Sequence, residues 1–256
     1  MTIDPSAHVA DGAQLGEDVQ IGPWCIVDAG VRLGDGCILD SMVKVTGDTE
    51  LGPECHLHHG AVIGTSPQDL KYRGAVAPVR VGARSVFREY STVNMPTAEG
   101  ELTQIGSDCL IMAYAHVAHN CVLGDHVILA NSVNLAGHIE IGDYAIIGGV
   151  TPVHQFVKIG AHSIIGGGSR VPTDVAPYVK AAGSPIKVFG VNTIGLQRRG
   201  FSEETQQVLK RVYRIFFRSP LLKDQALAQI RAELPDIPEV RVFTEFVERS
   251  ERGLAR

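Results

Sequence analysis

Aromatic residues are scarce in this sequence, 6% of 256 positions with a single tryptophan, which argues against a large globular core built on rings. No uninterrupted apolar run is long enough to span a bilayer. The opening Met1-Thr2-Ile3-Asp4-Pro5 lacks the basic segment and apolar stretch of an export signal, so the expected location is cytoplasmic. Excess positive charge is missing too, and a formal net charge of −5 gives the whole chain no reason to bind nucleic acid. Cysteine is present without a ligand pattern. Cys25, Cys37, Cys55, Cys109 and Cys121 match no zinc spacing, and a reducing compartment argues against disulfides.

What the chain does have is a beat of six. Apolar residues at Val9, Leu15, Ile21, Val27 and Leu33 open a series that runs to Ile63. It resumes at Val81, Phe87 and Val93, and again from Ile105 through Val171. Helices repeat at 3.6 residues and strands at two, so neither explains six; a hexapeptide solenoid does. At three hexads per triangular lap the series makes about eight laps, stacked as parallel strands ~4.8 Å apart. All five cysteines lie two residues before a beat, in a slot for a small inward side chain. The expected fold is therefore an all-β, left-handed parallel β-helix over residues 1–171, the left hand being that of hexapeptide solenoids as a class. Two stretches, 64–80 and 94–104, break the beat and read as projecting loops, where function often resides.

After Val171 the beat stops. Residues 172–200, rich in Pro and Gly, read as a connector, and 201–256 as a small α-helical C-terminal domain. Ser202-Glu203-Glu204 resembles a helix start, followed by Val208, Leu209, Val212 and Phe216 at helical spacing. Pro220 and Pro238 are expected to open two more helices. Between Lys180 and Arg218 eight basic residues face two acidic ones, a local charge of +6 that leaves −11 elsewhere. Such a patch suits an anionic partner, a nucleotide phosphate or an acidic carrier protein; a solvated helix face is the plainer alternative.

Eighteen residues per lap also says which distant side chains are neighbours. His119, His138 and His154 fall on one edge of the prism in successive laps, with Gly137 and Gln155 in line with His119 and with His116 and Asn134 a little further along. A neutral imidazole can take the proton of a hydroxyl that attacks a carbonyl. Gly137 has no side chain to shield its N–H, which makes it a candidate oxyanion donor. A zinc ligand or an incidental polar residue are the competing readings for His119, and His116-x-x-His119 alone is weak evidence for metal.

Gln68-Asp69-Leu70-Lys71-Tyr72, Ala115-His116-Val117-Ala118-His119, Leu135-Ala136-Gly137-His138, Val153-His154-Gln155-Phe156 and Gly190-Val191-Asn192 resemble, in order, the motifs of the bacterial acyl-carrier-protein–UDP-N-acetylglucosamine O-acyltransferases. Arg198-Arg199-Gly200-Phe201-Ser202 looks like the start of that family's C-terminal domain, so the resemblance covers essentially the whole chain. It implies transfer of a 3-hydroxyacyl group from acyl carrier protein to the 3-hydroxyl of UDP-N-acetylglucosamine, the first step of lipid A biosynthesis. It also implies that no metal or cofactor takes part and that the sites lie between the subunits of a homotrimer. By the same resemblance His119 would be the general base and Gly137 the oxyanion donor. Gln68, Asp69, Lys71, His116, His138, His154 and Gln155 would surround the substrates, Asn192, Arg198 and Arg199 would meet the nucleotide, and Gly167 would sit where side-chain size limits acyl length.

Three positions depart from the family pattern. Asn120 replaces the Asp that follows the catalytic His, Asn94-Met95-Pro96-Thr97 replaces His-Arg-Gly-Thr, and Ile194 replaces an acidic residue. Loss of the carboxylate at 120 is expected to weaken support for a protonated His119. An N-acyltransferase of the same fold, acting on a 3-amino or 2-amino sugar nucleotide, is the nearest rival; a zinc hydratase and a non-catalytic scaffold are more distant ones.

Overall fold

A computed structural model describes residues 1–256. Each hexad contributes one short strand, such as Gln20–Ile21 or Leu110–Ile111, whose second residue is the beat position and is buried. The chain winds as a left-handed parallel β-helix with three flat faces. Face A begins at Thr2–Ile3, face B at His8–Val9 and face C at Gln14–Leu15. They hold eleven, eight and eight strands, so two of the eleven lie beyond the regular laps. Residues eighteen apart pair across laps, as Gln20 does with Ile38 and Ile38 with His56.

At many corners a non-glycine residue adopts the left-handed conformation, for example Trp24, Tyr114 and His138 with φ of 60°, 61° and 61°. That conformation costs roughly 1–2 kcal/mol per residue. The corner N–H recovers part of it by donating to a carbonyl one lap away, as from Met42 to Pro23 at 2.9 Å and from Tyr114 to Glu89 at 3.0 Å. Inside, the column of Leu39, Leu57, Phe87, Ile111, Leu129 and Ile147 is fully buried. The five cysteines are buried and unpaired. Burial pushes the Cys109 thiol up to about 11 and the Cys121 thiol up to about 12, so neither offers a thiolate at neutral pH.

Both loops leave the solenoid and return to it, with one register shift between Ile63 and Thr65 where the longer one departs. Ile63 pairs with Val93 and Val93 with Val117, partners thirty and twenty-four positions apart where eighteen is the rule. The loops therefore add twelve and six residues to their laps.

The stretch expected as a connector carries structure of its own. Val179–Ala182 joins face A parallel to Ile164–Ile165 and then pairs antiparallel with Lys187–Val191. Gly183 and Pro185 make the turn of this hairpin, so the punctuation that suggested a linker marks a reversal between two strands. Helix α1 (Thr193–Arg198) follows, capped by the Asn192 side chain on the Gly195 N–H. Helix α2 (Glu203–Phe217) begins as its sequence suggests, with the Ser202 hydroxyl accepting from the Thr205 N–H at 3.1 Å. Helix α3 (Lys223–Glu233) starts three residues after Pro220, because the Ser219 hydroxyl caps the end of α2 on Ile215 O and Leu222 stays extended. Helix α4 (Pro238–Arg249) has its proline at the first position. Phe216 and Phe243 meet edge to face at 5.4 Å between α2 and α4. Asp174, fully buried, fastens the C-terminus to the solenoid by accepting from Ser250 Oγ at 2.7 Å and the Lys158 N–H at 2.8 Å.

Candidate active site

The three edges of the prism carry different chemistry. His116–Val117 lies on face B and Val122–Leu123 on face C, so His119 and Asn120 sit on the edge between B and C. His138 N–H donates to His119 O at 3.1 Å and Phe156 N–H to Gly137 O at 3.2 Å, which aligns His119, Gly137 and Gln155 in consecutive laps. The His119 imidazole lies directly over Gly137, close enough that a Cβ there would stand 2.6 Å from Nε2. The Gly137 N–H donates to no other group of the chain. His138 crosses His119 edge to face at 5.1 Å and stacks on Phe156 at 4.6 Å. His116, on the next strand inward, shares a hydrogen bond of 2.7 Å between its Nδ1 and Thr92 Oγ1.

Burial, and then the neighbouring His119, hold the pKa values of His116 and His138 below the ordinary imidazole range. Both are therefore neutral near pH 7, suited to hydrogen bonding a polar substrate. Asp69, on the longer loop, places its charge within reach of His138, as does Glu101 from the shorter one. Gln68 and Lys71 project from the longer loop into solvent; the Lys71 N–H is tied to Asp69 Oδ1 at 2.8 Å.

This edge is flanked by two hollows. On face C a groove of about 580 Å³ runs from Asn120, His138 and Phe156 past Lys158 to Phe246 and Arg249 of α4. On face B a hollow of about 340 Å³ is lined by His154, Gln155 and Arg170. The larger volume is of the size that holds a small-molecule substrate. Phe156, Arg170 and Glu101 were not singled out from sequence. Phe156 shares the lap position of His138, so the same arithmetic finds it; Glu101 lies in a loop without period.

The remaining sequence candidates lie elsewhere in the same chain. Asn192 and Arg199 gather at the edge between C and A, where the Arg199 guanidinium covers the Tyr144 ring at 5.0 Å with one buried nitrogen unpartnered. Asn192 is 4% exposed and its carboxamide is spent on the fold, accepting from the Gly195 N–H at 3.2 Å and donating to His162 O at 2.9 Å. Arg198 ends α1 exposed to solvent. Gly167 sits at the edge between A and B, against Gly149 of the lap before it, whose carbonyl a Cβ would meet at 3.1 Å. The set of side chains with metal-ligand spacing is Asp40, His56 and His58, whose donor atoms lie within 4.8 Å of one another, and none belongs to the His119 edge. There Asp40 already pairs with His56 at 2.8 Å and His58 at 2.9 Å.

Two family models match the chain: Udp N-acetylglucosamine O-acyltransferase, Domain 2, over residues 174–255, and Bacterial transferase hexapeptide (six repeats) over residues 102–137. A curated protein of Thermodesulfovibrio yellowstonii, an acyl-[acyl-carrier-protein]–UDP-N-acetylglucosamine O-acyltransferase, is 45% identical over 255 residues, covering 99% of each chain. Among solved structures, LpxA from Acinetobacter baumannii superposes with a TM-score of 0.96 at 41% identity, covering both chains fully. The UDP-N-acetylglucosamine O-acyltransferase of Moraxella catarrhalis superposes at 0.97 and 39% identity, again over 100% of both chains. With relatives of that identity along its full length and the hexad, histidine edge and helical cap all in place, the chain belongs to the acyl-[acyl-carrier-protein]–UDP-N-acetylglucosamine O-acyltransferases.

Proposed function

We propose that this chain transfers a 3-hydroxyacyl group from acyl carrier protein to the 3-hydroxyl of UDP-N-acetylglucosamine, with His119 as general base. His119 Nε2 takes the hydroxyl proton as that oxygen attacks the acyl carbonyl, and the Gly137 N–H donates to the oxyanion that forms. The observation that carries this reading is the imidazole lying over a bare, unengaged backbone N–H. The corner position recurs in every lap, but here its residue lacks a side chain and is covered by a base. Neutral His116 and His138 are hydrogen-bonding partners for the sugar, and Asp69 and Lys71 border it from the loop. Exposed Arg170 and Arg198 suit the anionic parts of a nucleotide or carrier.

The reading includes a homotrimer. Arg199, Gly167 and His119 occupy three different edges of one prism, so a site that uses all three draws on more than one copy. The edge between A and B carries a column of exposed apolar residues, Trp24 at 64%, Met42 at 55%, Tyr114 at 61% and Val150 at 69%, suited to being covered. No helix of the chain is long and apolar enough to cross a membrane, and the reading assigns the reaction to the cytoplasm.

His119→Ala tests the mechanism. Turnover measured with 3-hydroxyacyl carrier protein and UDP-N-acetylglucosamine should fall by about 10²–10⁴-fold with the thermal midpoint nearly unchanged. Activity that persists near the parent level would remove His119 from the chemistry. A 3-amino-3-deoxy sugar nucleotide offered in competition should be the poorer acceptor; strong preference for it would make the chain an N-acyltransferase.

A further inference from the structure

Asn120 cannot carry the charge that a carboxylate beside a catalytic imidazole would supply, yet its surroundings contain one. His119 Nδ1 lies 2.8 Å from Asn120 Oδ1, and Asn120 Nδ2 donates to Glu101 Oε2 at 2.8 Å. The orientation of the carboxamide is fixed independently. The backbone N–H of Thr97, which can only donate, points at Asn120 Oδ1 at 3.3 Å, so that atom is the oxygen. An amide oxygen accepts, so His119 Nδ1 carries the proton and Nε2 is left free over Gly137. The backbone N–H of Asn120 is held as well, donating to Thr103 Oγ1 at 2.8 Å.

Glu101 is in turn held as an anion. Its Oε2 accepts from Asn120, from Thr97 Oγ1 at 3.1 Å and from the Ala98 N–H at 3.0 Å. The Asn120 bond chief among these keeps its carboxyl below the usual range. The two groups of the shorter loop that hold the Asn120 carboxamide, Thr97 on its oxygen and Glu101 on its nitrogen, are four residues apart.

We propose that Glu101 is a positioning residue for the transfer reaction: acting through the Asn120 carboxamide, it fixes the His119 tautomer and supplies the negative charge that steadies the imidazolium. A carboxylate hydrogen-bonded to an amide N–H draws the amide toward its charge-separated form, and the oxygen facing His119 becomes a better acceptor. No proton leaves Asn120 or reaches Glu101. The hydroxyl proton stays on His119 Nε2 until it passes to the leaving group. The proposal rests on His119 being the base.

The test is Glu101→Gln, which keeps an acceptor for Asn120 and removes the charge. With 3-hydroxyacyl carrier protein and UDP-N-acetylglucosamine, kcat should fall by roughly three- to tenfold while KM for the sugar nucleotide holds. The acid limb of the pH profile should move to lower pH, because an imidazolium without its anion loses its proton more readily. His116, His138 and Asp69 also face this region; they are unaltered in the variant, so a displaced limb reports Glu101. Adding Asn120→Asp to Glu101→Gln places a charge directly on Nδ1 and should restore kcat and return the limb, which a merely structural role for Glu101 would not do. If Glu101→Gln leaves kcat and the limb unchanged while His119→Ala is inactive, the relay is wrong and the base stands. An active His119→Ala would end both.

Discussion

Gly137 has no room for a side chain because the space a Cβ would fill belongs to the His119 imidazole, 2.6 Å from Nε2. Gly137→Ala keeps the backbone N–H but pushes the ring off its place, and reacting groups displaced by about 1 Å lose on the order of 10²-fold in rate. We expect kcat to fall by about that factor with a near-parental thermal midpoint; full activity would mean that the close approach is incidental. The alignment of His119 with Gly137 was legible in the sequence, since counting by eighteen needs no coordinates. The Glu101 relay was not. Glu101 reaches His119 through a loop outside the repeat, where spacing says nothing about direction, and Asn120 on its own read as a loss. Asn192, given to the nucleotide by its motif, also holds the chain together, since its carboxamide bonds Gly195 and His162.

Single elements matter most along the edge between C and A, where rings stack as a ladder. His126 meets Tyr144 at 4.3 Å, Tyr144 meets His162 at 4.9 Å, and His162 meets Tyr178 at 5.7 Å. Burial, and then the Arg199 charge, press the His162 pKa down to about 4, and its Nδ1 has no partner. Below the ordinary imidazole value of about 6.5 the unfolded chain takes up a proton that the native one refuses. The stability His162 contributes is thus complete above about pH 6.5 and declines as pH falls toward 4. His162→Phe keeps a ring in the ladder and removes this titration. Its melting temperature should drop less than the parent's between pH 6.5 and 4.5, and equal drops would exclude His162 as a source of acid lability. The strands of the regular laps could be foreseen because each beat position takes an apolar side chain; the ring ladder at the corners could not, because the beat says nothing of corner residues. The hairpin of Val179–Ala182 with Lys187–Val191 could not, because its strands follow no hexad and its turn residues are those of a linker.

For the whole molecule, the proposed homotrimer would cover the apolar column between faces A and B. Val150, 69% exposed in one copy, is the most exposed side chain of that column. Val150→Arg would bury an unpaired guanidinium in a contact made there, a change that costs several kcal/mol. Sedimentation should show the variant dissociating, with transfer activity lost and the far-ultraviolet β signature kept. A variant that sediments as the parent does would place the contact elsewhere.

The distribution of His119, Arg199 and Gly167 over separate edges has a consequence for inheritance. If every catalytic centre borrows walls from neighbouring chains, a chain damaged at two edges ruins two centres when it enters a mixed assembly. Such an allele would depress output by more than its share of the pool, behaving as a dominant poison toward healthy copies made in the same cell.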